Sequence, residues 1–387
     1  MTPGEGAPGA GPRGVLRSVG RGLGAGLLRI AAFFYGAAAR AHRAWMRRTA
    51  GRRGRLACAV VSVGGLTVGG AGKTPMAACI ALGLHRRGWR VVLASRGYGG
   101  RDRSAVSVVS DGSHVHSTVS RSGDESLVLA AHAPGVPVLV GRDRRVVGHH
   151  AVAAFDARIV VLDDGFQHHR LARDVDVVCI DGEAGLGNRR VLPAGPLREP
   201  LGALRLADWI CVVDPPDDAV PIEGLEALAA GRIRARRRPV GLRSIDGGST
   251  RALESLDGAR VGLLAGIARP RSVRRTLEAL GARVVVERCF ADHHTYAPED
   301  LGGLADTKLD WITTEKDALK ILPAWVGEAR LWVLRIEMEI EGGERFLDRI
   351  ESDLRARGRL SRTAAVPAGE AADVRPLPPA RTLGLGG

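Results

Sequence analysis

The stretch Thr67-Val68-Gly69-Gly70-Ala71-Gly72-Lys73-Thr74-Pro75 decides the fold. It follows an apolar run at 56–63 and precedes a helical pattern at 73–86, so it predicts a glycine loop between a strand and a helix. Glycines let backbone N–H groups close around phosphate oxygens, Lys73 reaches the terminal phosphates, and the Thr74 hydroxyl can hold Mg²⁺. Thr67 stands where the strict P-loop motif has a glycine, but the strand, loop and helix together still predict a nucleotide site over residues 67–74.

Two adjacent carboxylates, Asp163 and Asp164, follow another apolar run at 158–162. A P-loop protein needs a carboxylate at the end of a neighbouring strand to position Mg²⁺, so both are candidate metal residues together with Thr74. The alternative is a simple strand-end turn, because Asp164-Gly165 is also turn chemistry. Next to a P-loop, the acidic pair favours a metal site.

Apolar runs alternate with helical patterns along the chain. Strands are predicted at 56–63, 90–94, 136–140, 158–162, 175–180 and 209–213, with helices at 73–86, 124–132 and 143–154. This rhythm predicts an α/β fold with a doubly wound, mostly parallel sheet. Strands at 260–265, 283–286, 309–312 and 331–336, with a helix at 271–280, predict a second, smaller α/β domain.

We divide the chain into four parts on this basis. They are a basic arm (1–55), a P-loop nucleotide-binding domain (56–235), the second α/β domain (236–345), and a terminal helix with a disordered tail (346–387). The boundary between the two domains rests on a Pro-rich stretch at 214–221 and a basic stretch at 232–238. The tail is rich in Ala, Pro and Gly, which predicts disorder.

The composition is that of a soluble globular protein. Of 387 residues, 45% are apolar and 25% charged, which excludes wholesale disorder and a multi-span membrane protein. The five cysteines include no C-x-x-C pair, which argues against a disulfide framework or a zinc site and favours the cytosol. Four lysines occur against 52 arginines. A lysine kept against that bias is a candidate for a position that needs a compact ammonium group.

The net charge of +14 is concentrated in the arm, where residues 1–55 hold eleven arginines against the single acid Glu5. A helix is predicted over residues 23–45, with apolar side chains on one face and arginines opposite. The apolar positions are Leu23, Leu27, Ile30, Phe34, Ala37, Ala41 and Trp45, and the arginines are Arg29, Arg40, Arg43 and Arg47. This pattern predicts an amphipathic helix in an anionic membrane interface. A helix packed on the protein body and a basic arm on nucleic acid are the alternatives.

That arm is a poor transmembrane segment, because its longest charge-free run, 30–39, is far shorter than the roughly 20 residues that a bilayer core requires. A cleavable signal peptide is not expected either, since Arg29 interrupts the apolar stretch and no clean cleavage site follows.

Several further motifs occur in order along the chain. They are GGLTVGGAGKTP (64–75), SRGYGG (95–100), GDE (123–125), DDGFQH (163–168), LPAGPLRE (192–199), DH (292–293) and TEKD (314–317). With them, the chain over about residues 20–340 closely resembles the tetraacyldisaccharide 4'-kinase (lipid A 4'-kinase) family. The resemblance implies transfer of the γ-phosphoryl group of ATP, with Mg²⁺, to the 4'-hydroxyl of a lipid A disaccharide 1-phosphate. It also implies a location at the cytoplasmic face of the bacterial inner membrane.

The resemblance also implies roles for individual residues. Asp124 matches the catalytic base and His293 the histidine that supports it, although the adjacent His294 remains an alternative. The substrate residues that it implies are Arg144, Arg198 and Glu199, with Glu199 orienting Arg198 or contacting sugar hydroxyls. Gln167 is expected near Mg²⁺ or the nucleotide. For Lys316, a structural role and a contact on the nucleotide side are both open.

The chain departs from the family at two places. The family usually has Asn where Gly65 stands, and many members have a cleaner apolar N-terminal span; the second difference favours interfacial anchoring.

Two rival classes remain. One is a membrane-associated P-loop ATPase that acts as a switch, and Val68 counts against it because such proteins often carry a lysine there. The other is a nucleic-acid-binding protein, weakened by the location of the charge on an amphipathic arm. We therefore expect a monomer that binds a glycolipid and a membrane surface but no nucleic acid.

Overall fold

The helices and strands are described from a computed structural model, which covers residues 12–48, 54–216, 222, 225, 228 and 230–361, with the backbone alone for 12–25 and 47. The predicted disordered tail and residues 217–221 of the predicted linker lie outside the described residues. The elements are, in chain order, α1 (Pro12–Arg48), β1 (Ala59–Gly65), α2 (Lys73–Arg86), β2 (Val91–Ser95), β3 (Ser107–Ser110), α3 (Val119–Ser122), α4 (Asp124–His132), β4 (Val138–Val140), α5 (Arg144–Phe155), β5 (Ile159–Asp163), β6 (Val175–Asp181), β7 (Trp209–Val213), β8 (Gly231–Ser244), β9 (Thr250–Arg251), β10 (Arg260–Ala265), α6 (Pro270–Ala279), β11 (Arg283–Cys289), β12 (Asp310–Thr314), α7 (Glu315–Ala318), β13 (Arg330–Ile340) and α8 (Gly343–Ala356).

The P-loop half of the sheet has the strand order β7-β6-β1-β5-β2-β4-β3. Its neighbours are parallel apart from the antiparallel pair of β3 and β4. β1, β5 and β6 are buried along their whole length, which explains their continuous apolar runs in the sequence. α2 and α4 cover one face and α5 the other. The predicted doubly wound α/β fold is confirmed.

The second half of the sheet has the order β11-β10-β12-β13-β8, in which only the pair of β13 and β8 is antiparallel. β8 is 14 residues long. Its first part pairs in parallel with β7 and its remainder pairs with β13, so it joins both halves into one 13-stranded sheet. The expected division at 235/236 therefore falls inside a continuous strand.

The sequence prediction missed β8, since its arginines were interpreted as a polar boundary. In the structure Arg232 and Arg234 are exposed, Ile233 between them is half-buried and Ala235 is fully buried. This period-two alternation is typical of a strand with one solvent-exposed face. β3, β9, α3 and α7 were also not predicted.

The C-terminal helix α8 packs on the P-loop half. Phe346, Leu347, Ile350 and Leu354 belong to the same core cluster as the apolar face of α2. The chain therefore returns to its first half after completing the second.

α1 lies against the body through one face. Ala32, Gly36 and Met46 on that face are buried. Most of the described part of the predicted apolar stripe is exposed, with Phe34 66% exposed and Trp45 53% exposed, whereas Ala37 is half-buried. Within the described residues, no helix combines the length and apolar character needed to cross a bilayer.

Candidate active site

The glycine loop connects β1 to α2 as predicted. Its last residue, Gly72, has φ 73°, and a Cβ there would lie 3.0 Å from Val213 Cγ1, so glycine is required. Gly72 is the N-cap of α2 and supplies no side-chain cap, which leaves the first N–H groups of the helix for an anion. The start of the loop is fixed by the Val68 N–H, which donates to the Pro196 carbonyl at 2.9 Å.

Lys73 lies over this loop. Its ammonium donates to the Gly69 carbonyl at 3.3 Å and lies 3.8 Å from Asp164 Oδ1. A Cβ at Gly65 would lie 3.1 Å from Lys73 Cδ. A larger residue at 65 would therefore displace the lysine side chain, which gives a physical consequence to the difference from the family at this position.

Oxygen atoms suited to a hard cation meet beside the lysine. The Thr74 hydroxyl lies 3.3 Å from Asp163 Oδ2, and the Ser95 hydroxyl lies 3.4 Å from the same atom. Asp163 is adjacent to the loop because it pairs in register with Val63 of β1. Among the described residues no group of three or more His, Cys, Asp or Glu forms a metal site. Mg²⁺ in nucleotide sites uses one or two carboxylates plus phosphate oxygens, and this set fits that requirement.

The pKa values of Asp163 and Asp164 are shifted in opposite directions. Burial, reinforced by the charges of Glu125 and Asp164, raises the pKa of Asp163 to about 7. Burial also acts to raise the pKa of Asp164, but the charges of Lys73 and Arg198 outweigh it, and the net direction is downward. Asp164 is therefore the more readily ionised member of the pair, and among the described residues no cation forms an ion pair with Asp163.

Three polar atoms near these carboxylates are buried without a hydrogen-bond partner in the described part of the chain: Arg144 Nε, Gln167 Oε1 and His168 Nε2. The Gln167 amide nitrogen donates to the Gly65 carbonyl at 3.0 Å, so its oxygen is free to accept. Burial, with the charge of Arg144, lowers the pKa of His168 to about 4. Buried unpaired polar atoms are costly, and these fit a bound polar ligand such as a metal–nucleotide complex.

Arg198 and Glu199 have different partners. The Arg198 guanidinium donates to both Asp164 oxygens, at 2.9 and 2.7 Å. Glu199 does not contact it: its carboxylate accepts from Arg43 of α1 at 2.7 Å and lies 3.2 Å from His169 Nε2. The expectation that Glu199 orients Arg198 is therefore wrong, because the N-terminal helix supplies the cation for Glu199 and Asp164 holds the arginine.

Asp124 and His293 come from different halves of the sheet and meet here. Asp124 is buried at the start of α4, and His293 Nδ1 lies 3.2 Å from its Oδ2. His293 has φ 61°, a strained conformation for a non-glycine residue. His294 points elsewhere, with its ring stacked on Phe290 and its Nε2 2.9 Å from Asp300. Of the two candidates, the structure brings His293 to Asp124.

Two lysines also surround Asp124. Lys320 Nζ lies 3.5 Å from Asp124 Oδ2, and Lys316 Nζ lies 4.0 Å from it and 3.4 Å from Glu125 Oε1. Lys320 was not predicted as a site residue, and Lys316 was left between two roles. The rarity of lysine was the signal, since three of the chain's four lysines lie in this site.

Comparison with known proteins gives concordant results. The family model described as tetraacyldisaccharide-1-P 4'-kinase matches residues 25–355. A tetraacyldisaccharide 4'-kinase of Anaeromyxobacter sp. (strain Fw109-5) is 45% identical over 80% of this chain and 86% of its own length. One from Syntrophus aciditrophicus (strain SB) is 37% identical over 83% of this chain and 90% of its own.

A solved structure resembles the fold as well. The "apo" form of LpxK from Aquifex aeolicus in complex with ATP superposes with a TM-score of 0.70 at 26% identity, covering 85% of this chain and 99% of that one. With the family model spanning most of the chain and relatives this similar, the chain belongs to the tetraacyldisaccharide-1-P 4'-kinase family.

Proposed function

We infer that the chain transfers the γ-phosphoryl group of ATP to the 4'-hydroxyl of a tetraacyldisaccharide 1-phosphate, giving the 1,4'-bisphosphate. It is an ATP-dependent kinase of lipid A biosynthesis. The proximity of the Asp124–His293 pair to the carboxylates beside the P-loop is the main support for this function. Glu125, which is adjacent to Asp124 in the chain, lies close enough to Asp163 for its charge to raise the pKa of Asp163. A phosphoryl donor site and a base for an acceptor hydroxyl thus meet at one edge of the sheet.

On the donor side, we assign the nucleotide phosphates to residues 67–74. Lys73 balances negative charge on the γ-phosphoryl group, where charge stabilisation is the main catalytic task. Thr74, Asp163, Asp164 and Gln167 would hold Mg²⁺, which supplies charge neutralisation on the phosphates when bound. The Arg198 guanidinium fixes Asp164 through two hydrogen bonds.

On the acceptor side, Asp124 is the general base. The oxygen of the 4'-hydroxyl forms a bond to the γ-phosphorus, the bond from that phosphorus to the β–γ bridging oxygen breaks, ADP leaves, and the hydroxyl proton passes to Asp124. His293 supports Asp124 through the 3.2 Å contact. Lys316 and Lys320 compensate the charge of this buried carboxylate.

We further propose that Arg144, Arg198 and Glu199 form the substrate side of the site. Arg144 is buried, and its Nε has no partner among the described residues, which leaves a donor for a phosphate or sugar oxygen. Glu199 connects this part of the site to α1, because its carboxylate forms an ion pair with Arg43 of that helix. A glycolipid whose acyl chains run along α1 would have its sugar at these residues.

The stripe that α1 leaves exposed supports association with a membrane surface, at the cytoplasmic face of the bacterial inner membrane. Leu27, Ile30 and Phe34 are exposed on it, and the positively charged Arg29 and Arg40 lie to one side. Apolar side chains beside arginines suit an anionic interface. We propose that the enzyme acts there as a monomer.

The test is product formation from a defined lipid. Purified protein in neutral detergent, with Mg-ATP and tetraacyldisaccharide 1-phosphate, should give a product one phosphate heavier by mass spectrometry, with the new phosphate at the 4' position. Lys73→Ala is the matched inactive control, because it removes the cation that we assign to the phosphates. ATP hydrolysis without a phosphorylated lipid would instead support the switch ATPase.

A further inference from the structure

A cavity of about 290 Å³ lies between the loop after β2 and the loop after β4. These loops follow the carboxyl ends of their strands, the edge of the sheet that also carries the P-loop. Four arginines line the cavity, which we call the arginine pocket: Arg96, Arg103, Arg121 and Arg142. None of them belongs to the nucleotide or catalytic residues assigned above.

The arginine pocket has a large excess of positive charge. Its one acidic lining residue is Asp102, which accepts hydrogen bonds from Ser104 N and Ser107 Oγ and lies 3.4 Å from Arg121. Within the described residues, Arg96, Arg103 and Arg142 have no carboxylate partner. Three guanidinium groups thus line the cavity without a carboxylate partner among the described residues, an arrangement that suits an oxyanion such as a phosphate monoester.

The pocket lies next to the pair of Asp124 and His293. Tyr98, one of its lining residues, has its ring 5.7 Å from the ring of His293. On the other side, a Cβ at Gly123 would overlap the Tyr98 carbonyl, so the backbone before Asp124 lies directly on this loop. The charge of Arg96 also contributes to lowering the pKa of Arg144, after burial. A ligand bound at Asp124 can therefore extend into the pocket.

We propose that the arginine pocket binds the phosphate monoester that the acceptor already carries at C1. The inference rests on the proposed function, in which the acceptor has an unreacted hydroxyl at one end of the disaccharide and a phosphate at the other. The hydroxyl must be at Asp124 for reaction, so the existing phosphate is recognised away from the P-loop. The arginine pocket lies next to Asp124 and meets that requirement. A phosphate bound there would orient the disaccharide so that its 4'-hydroxyl lies at Asp124.

Two other sources of phosphate could occupy such a pocket: the nucleotide and an anionic phospholipid headgroup. The experiment separates them by using two acceptors, the disaccharide with its 1-phosphate and the same disaccharide without it, in neutral detergent without phospholipid. The variants are Arg103→Gln, Arg142→Gln and the double variant, because neither side chain has a hydrogen-bond or ion-pair partner in the described part of the chain. Arg158→Gln, exposed at the opposite end of β5, is the control.

For wild type and the control we expect a lower KM for the acceptor that carries the 1-phosphate. Each single variant should raise that KM by about tenfold and the double variant by about a hundredfold, since each charge-assisted contact contributes about a factor of ten. The KM for the acceptor without the 1-phosphate and the KM for ATP should remain within about twofold.

Equal loss on both acceptors, or an increased KM for ATP, would overturn the proposal. Unchanged kinetics accompanied by weaker binding of the double variant to anionic vesicles would overturn it too, and would assign the pocket to phospholipid. If the wild-type enzyme phosphorylated neither acceptor, the proposed function itself would fail, and that result is distinct from the others.

Discussion

At the scale of single residues, the site is built from charges whose partners come from distant parts of the chain. The P-loop and the acidic pair could be predicted from local sequence, because a glycine loop before a helix and carboxylates after a buried strand have local signatures. Lys320 could not, because its contact with Asp124 depends on the folding of two segments 196 positions apart in the numbering. Its only local signal was that lysine is rare here.

Asp163 and Asp164 predict opposite effects on stability. The pKa of Asp163 is raised to about 7, so the folded protein prefers its neutral form and loses stability as the pH rises through 7. Asp163→Asn removes that cost, and without Mg²⁺ the free energy of unfolding of the variant should exceed that of wild type by on the order of a few kcal/mol at pH 8.5, and by clearly less at pH 5, with Tm changing in the same direction. The pKa of Asp164 is lowered, so Asp164→Asn should destabilise at pH 8.5.

Thermal unfolding in EDTA at the two pH values measures both changes. A Tm gain for Asp163→Asn that is equal at both pH values would contradict the assigned pKa. A higher Mg²⁺ requirement for catalysis should accompany the gain in stability, because the same substitution removes a carboxylate ligand.

At the scale of elements, α1 has two functional faces. The sequence predicted the helix and its apolar stripe, but it could not predict which face contacts the body, because the periodicity is the same for a helix on a membrane and a helix on a protein. The structure places Ala32, Gly36 and Arg43 against the body. Tyr35 donates to the Arg198 carbonyl at 2.9 Å, so the helix contacts the site directly.

The buried pair of Arg43 and Glu199 predicts a coupling between α1 and the site. Arg43→Gln leaves Glu199 buried with His169 alone, and the free energy of unfolding should fall by on the order of 3 kcal/mol. The double variant with Glu199→Gln should recover much of that loss, since no unpaired charge remains. Chemical denaturation of Arg43→Gln, Glu199→Gln and the double variant measures these changes, with the exposed Arg40→Gln as control. Equal and additive losses would show that the pair does not interact.

The exposed stripe predicts membrane binding that is separable from folding. Ile30→Ser with Phe34→Ser should weaken co-sedimentation with anionic vesicles by at least about tenfold, because a buried apolar side chain contributes about 1.5–3 kcal/mol. The Tm should not change, since both side chains are exposed. Val285→Ser, an exposed apolar position on β11, is the control. Binding that is unaffected by the double substitution would place the membrane contact elsewhere.

At the scale of the whole molecule, one sheet carries both members of the proposed catalytic pair. Asp124 belongs to the P-loop half and His293 follows β11 of the other half. Further contacts cross between the halves, including His132 to Glu315 at 2.9 Å and Arg269 to Asp181 at 2.7 Å. We propose that the two halves act as lobes that bring the pair together over bound substrates.

Long-range organisation was the part least accessible from sequence. The sequence favoured two separate domains because the Pro-rich stretch at 214–221 and the basic stretch at 232–238 were interpreted as a boundary. The basic stretch lies within β8 instead: Arg232 and Arg234 alternate with Ile233 and the buried Ala235, and the strand pairs with β7 and β13. Pairing partners so far apart in the chain leave no signal in a local pattern.

We expect Asp124 and His293 to act as one unit that removes the proton from the lipid hydroxyl beside bound ATP. The measurement is kcat for 4'-phosphorylation by Asp124→Asn, His293→Ala and the double variant, with His294→Ala as the matched control and the Kd of ATP determined for each. We expect each single variant of the pair to lose about 100-fold or more in kcat. The kcat of the double variant should be little lower than that of the less active single variant, and the Kd of ATP should stay within about twofold of wild type. Full activity of Asp124→Asn, or loss in His294→Ala with full activity in His293→Ala, would contradict the account.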